Sequence, residues 1–112
     1  MSLLRVSDHV RAPGFRSIAD GPYSGQWFRE QYLVPQLRAA IESGEQLTVR
    51  LDGVAGYGSS FLEEAFAGLI RNKEATPDEV HRYLVVEAGA PLFQTYRDLA
   101  YRFIRSAEAE VA

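Results

Sequence analysis

Between Leu47 and Ile70 the apolar positions change period once. Leu47, Val49 and Leu51 alternate with Thr48, Arg50 and Asp52, the two-residue period of a strand with one better-buried face. After the turn pair Asp52-Gly53 and two more glycines, Gly56 and Gly58, the pattern switches. Leu62, Ala65, Phe66, Leu69 and Ile70 recur at steps of three and four, the stripe of an amphipathic helix. The spacing predicts a central strand over 47–51, a glycine-punctuated loop, and a helix from Ser59-Ser60 to about Asn72. Ser60 with Glu63 three residues on fits a capping box. Arg71 and Lys73 suit the negative end of the helix dipole.

The rest of the chain reads as packing around that unit. An edge strand is expected over 3–6 and a second short strand over 15–18, followed by the turn Ala19-Asp20-Gly21-Pro22. Ser24 is a natural N-cap for a helix over 26–43. Within it, Pro35 removes one backbone donor, so either a kink or two segments are expected, the second opened by Pro35. Gly44 suits the position just past its end. Thr76-Pro77-Asp78-Glu79 carries a cap, a first-turn proline and an acidic partner, predicting a helical turn through His81. A strand over 83–88 is broken by Gly89-Ala90-Pro91. Leu92, Tyr96, Leu99, Ala100, Phe103, Ile104 and Ala107 then mark a last helix over 92–109. The predicted order is β-β-α-β-α-β-α: one α/β domain over 1–112, with a small mixed, mostly parallel sheet covered by about three helices.

Composition narrows function mainly by exclusion. A hydrophobic content of 46% argues against disorder. The net charge of −3 gives no electrostatic case for nucleic acid. With no cysteine, thiol catalysis and thiolate metal sites are excluded. Two separated histidines, His9 and His81, make a dedicated metal site unexpected, and both read as surface or packing residues. No apolar run approaches a membrane span, so a cytoplasmic domain without membrane or nucleic-acid partners is expected.

Candidate chemistry is sparse. The adjacent Glu63 and Glu64 do not share a helical face, which does not suit paired-carboxylate catalysis. Glu63 reads as the capping partner of Ser60, and Glu64 as solvated or interfacial. Gly53, Gly56 and Gly58 lack the Gly-Lys-Ser/Thr of a Walker loop. Tyr23, Trp27, Phe28 and Tyr57 fit either core packing or an exposed binding patch, and Arg29 reads as a surface arginine. No nucleophile or acid–base pair emerges, so no enzymatic activity, cofactor or catalytic residue is expected.

Two stretches carry a resemblance. One is Gly21-Pro22-Tyr23-Ser24-Gly25 with Phe28-Arg29 and Pro35. The other is Asp52-Gly53-Val54 with Ser59-Ser60-Phe61-Leu62-Glu63-Glu64-Ala65-Phe66 and Gly68-Leu69. The chain resembles the STAS-like domain family of unknown function, related to the sulfate-transporter and anti-sigma-factor-antagonist domains. The resemblance implies a non-enzymatic switch module. In anti-sigma-factor antagonists a serine at the start of the helix after the central strand is phosphorylated by a partner kinase; by position Ser59 or Ser60 matches it. Asp52 stands eight residues before Ser60 and Phe61 follows it, whereas those antagonists keep an aspartate close to the serine and a glycine after it.

The resemblance implies phosphoacceptor or partner-binding candidates at Ser60, Ser59, Asp52, Gly58, Phe61 and Glu64. It adds a possible interaction surface at Ser24, Gly25, Phe28 and Arg29. The partner it implies is a histidine-kinase-like ATPase or anti-sigma-type kinase. Helix capping remains the plain alternative for both serines. The competing function is a sensor of a small anion or nucleotide bound by the loop 53–60, where helix N–H groups favour negative charge.

Overall fold

The computed structural model describes residues 2–111. Three strands form one wholly parallel sheet: β1 (Ser2–Arg5), β2 (Leu47–Arg50) and β3 (Leu84–Glu87), in the order β1-β2-β3. Leu4, Val49 and Val86 pair across the sheet and are all buried, while Leu3 and Glu87 on the opposite pleat are exposed. The strand read from the 47–51 alternation is thus central, with the 83–88 segment parallel beside it.

Helix α1 spans 25–43 in three registers: Gly25–Phe28, a π-helical Arg29–Leu33, and Val34–Ser43. Pro35 lies in the first turn of the last register. It offers no N–H to the turn before it, and the wider π register takes up the missing donor there. Gly44 closes the helix in the left-handed conformation, φ 71°. Helix α2 spans 59–71 and also contains a π segment, Glu63–Ala67. The short α3 (Pro77–Tyr83) opens on the expected capping box, Thr76 with Glu79. The long α4 (Pro91–Val111) packs along α2 and against β3. Its Tyr101 hydroxyl accepts the outward Val86 N–H at 2.8 Å, closing that edge of the sheet.

The strand expected over 15–18 does not form. The Phe15 and Arg16 carbonyls accept the Gly25 and Gln26 N–H groups at 2.8 and 3.0 Å. Ser24 Oγ accepts the Trp27 N–H at 3.0 Å. The segment therefore caps the start of α1 instead of adding a ladder, because first-turn amides of a helix need acceptors from outside it.

Candidate functional site

The two resemblance stretches meet where α1 crosses α2. Ser24, Gly25, Phe28 and Arg29 are all buried, so they are not an interaction surface. A Cβ on Gly25 would stand 2.5 Å from the Phe61 carbonyl oxygen; only glycine lets the two helices approach this closely. The Phe28 and Phe61 rings pack 5.9 Å apart. Phe61 is fully buried and so cannot touch a partner. Trp27 is half-buried and Tyr57 buried, while Tyr23 is 55% exposed; the aromatics divide between core and surface.

Arg29 is likewise no surface arginine, at 3% exposed. Its Nε donates to Glu74 at 2.7 Å, and Nη1 donates to the Glu64 carbonyl oxygen at 2.8 Å and to the Glu64 carboxylate. A buried guanidinium is tolerable only when its donors are satisfied. Two glutamates and a carbonyl exposed by the loosened π register of α2 do that. Alternation and periodicity could not reveal this, since the partners are 35 and 45 residues away.

At the carboxyl end of β2, Asp52 closes onto the next strand's exit. Its two oxygens accept the Gly89 and Ala90 N–H groups at 2.9 and 3.0 Å. The Ala90 N–H bond holds the carboxyl below its usual range; burial opposes this, while the Gly89 N–H and Arg50 assist. Asp52 thereby fastens the β3–α4 turn. Tyr57 folds back so that its hydroxyl donates to the Leu51 carbonyl at 2.8 Å. Burial, helped by the Asp52 charge, pushes that phenol far up.

The capping box read from Ser60 and Glu63 is absent. Gly58 is the N-cap of α2 and no side chain caps its first turn. Glu63 is drawn away to Arg16, at 2.5 Å, and to Arg71. Burial raises its carboxyl, but the two guanidinium groups outweigh it and hold it low. Ser59 is exposed and Ser60 half-buried. Between β2 and α2, the Ala55 and Gly58 amides donate to the Arg11 and Pro13 carbonyls at 2.9 and 2.8 Å. Those two N–H groups are therefore spent on the chain itself and are not offered to an anion.

His9 stacks on Tyr32, ring centroids 3.8 Å apart, and His81 reaches Glu108 at 2.6 Å. Among the described residues, no group of three metal-ligating side chains converges and no helix is long and apolar enough to cross a membrane.

No curated protein and no solved structure matches the chain. Residues 24–88, from the N-cap of α1 to the end of β3, match the model of a STAS-like domain of unknown function. That span holds the second resemblance stretch whole and the first from Ser24 onward, with the α1–α2 crossing they build, and the chain belongs to this STAS-like family.

Proposed function

We propose that the protein is a regulatory interaction module whose partner reads the start of α2, with Ser59 or Ser60 as the switched residue. The observation that carries this reading is the state of the serines. Neither caps the helix, and Ser59 is exposed on a first turn that follows the central strand. A phosphate added there meets the positive end of the helix dipole. Beside it, Arg16 ties the 15–18 segment to Glu63 one turn along, and Phe15 and Ile18 flank Arg16 as exposed apolar side chains. Exposed apolar groups beside a chargeable residue suit a protein partner. By family resemblance, that partner is a histidine-kinase-like ATPase or anti-sigma-type kinase. A sensor using the 53–60 loop has less support, because two of the loop's amides are already bonded internally.

The test pairs the protein with the ATPase-type kinase encoded nearest to its own gene. With ATP, phosphate is expected on Ser59 or Ser60, with affinity changed between the unmodified and phosphorylated forms. Binding that Ser59→Asp and Ser60→Asp leave unchanged, together with no phosphate transfer, would end the proposal.

A further inference from the structure

The segments on either side of Pro13-Gly14 enclose a depression that shares only Phe15 with the interaction reading. We infer that it is a binding site for a flat aromatic ligand carrying an anionic group. It lies just past the carboxyl end of β1, between residues 7–12 and the facing Phe15, Pro22 and Tyr23, with a volume of about 520 Å³. Open parallel sheets take ligands outside the carboxyl ends of their strands, and that volume is in the range of small-molecule sites.

The walls are fixed in advance. On one side Val10 N–H donates to the Val6 carbonyl at 3.1 Å, the Arg11 carbonyl holds Ala55, and the His9 ring lies flat on Tyr32. On the other side the Phe15 carbonyl is bonded to Gly25 at the start of α1. Preformed walls need no ordering on binding, which favours a small ligand.

Tyr23 is the most telling wall residue. Its backbone sits at φ 56°, a left-handed conformation that non-glycine residues enter at a steric cost and that concentrates at functional sites. The ring gains no burial from it: 55% of the residue is exposed, with Trp27 edge-on at 5.1 Å. An aromatic braced on one side and open on the other offers a face for stacking.

Charge supplies the second half of the ligand. Asp8 and Arg11 both line the depression, and neither has an ion-pair or side-chain hydrogen-bond partner among the described residues. The Arg11 guanidinium presents the planar fork that suits a carboxylate or phosphate. Asp8 accepts a donor, such as a ring N–H or a hydroxyl. Ring, anion and donor together describe either an aromatic carboxylate or a nucleoside monophosphate.

Amide NMR on the full 112-residue chain tests this with indole-3-acetate and with AMP. Indole and adenosine serve as rings without an anion; acetate and inorganic phosphate serve as anions without a ring. One of the two complete probes is expected to give saturable shifts at His9, Arg11, Ala12 and Tyr23, its identity separating carboxylate from phosphate. Arg11→Ala, which keeps the main-chain bond to Ala55, should weaken that binding about tenfold with unchanged melting, the loss of one charge-assisted contact. Tyr23→Leu should weaken it independently by removing the stacking face. The inference is overturned if neither complete probe saturates, if the anion-free rings bind equally well, or if Arg11→Ala binds like the parent. None of these outcomes bears on Ser59 or Ser60, so the interaction reading stands or falls separately.

Discussion

Arg29 of α1 lies across Gly68 of α2, so that a Cβ at position 68 would stand 2.5 Å from Nη1. The guanidinium cannot swing aside without leaving Glu64 and Glu74. Gly68→Ala is therefore expected to destabilise the protein by about 1–3 kcal/mol through overpacking. Arg29→Ala should cost about 3 kcal/mol, at the low end for a broken buried pair because both carboxylates keep some water. Arg29→Lys should recover little, since one ammonium cannot span acceptors placed for a planar fork. Denaturant unfolding of the three variants checks this; a neutral Arg29→Ala would remove the pair from the forces holding α1 on α2.

The starts of α2 and α3 should respond differently to loss of a hydroxyl. Thr76 accepts the Glu79 N–H at 3.1 Å while Glu79 reaches back to the Thr76 N–H at 3.0 Å. Thr76→Ala is expected to cost about 1 kcal/mol. Ser59→Ala and Ser60→Ala, with no capping bond to lose, should stay within about 0.5 kcal/mol of the parent. Thermal unfolding of the three single variants decides it. A cost at Ser60 as large as at Thr76 would mean that Ser60 caps α2 after all.

Asp52 predicts a pH dependence. Its carboxyl is held low in the folded protein by the Ala90 and Gly89 N–H groups. A depressed carboxyl stabilises the fold above its unfolded pKa, and this contribution fades as pH falls through the folded value. Asp52→Asn keeps one acceptor where the turn needs two, and should cost about 1–3 kcal/mol at neutral pH. The gap between variant and parent should narrow on acidification below the ordinary carboxylate range. Unfolding curves at neutral and acidic pH test both statements; a gap that does not change with pH would show that the Asp52 charge is not what fastens the turn.

How much was legible in the sequence follows from the range of each interaction. Alternation at Leu47, Val49 and Leu51 sufficed for the central strand, and the stripe from Leu62 to Ile70 sufficed for the body of α2, because both patterns report burial over a few residues. Ser24, Gly44 and Thr76-Glu79 were readable for the same reason: a cap is a bond between near neighbours.

The readings that failed were local solutions displaced by distant ones. Glu63 was free to cap Ser60 until folding brought Arg16 from 47 residues away. Phe15 and Arg16 had the composition of a strand, but the start of α1 needed their carbonyls. Arg29 looked like a surface charge because Glu64 and Glu74, which make its burial possible, come near only when α1 crosses α2. A charged side chain can be buried only when its partners are in place. Sequence by itself therefore determined where most of the elements run, because their patterns are local, and the crossing of α1 on α2 decided which charges face inward, because a buried charge needs partners that only the tertiary structure supplies.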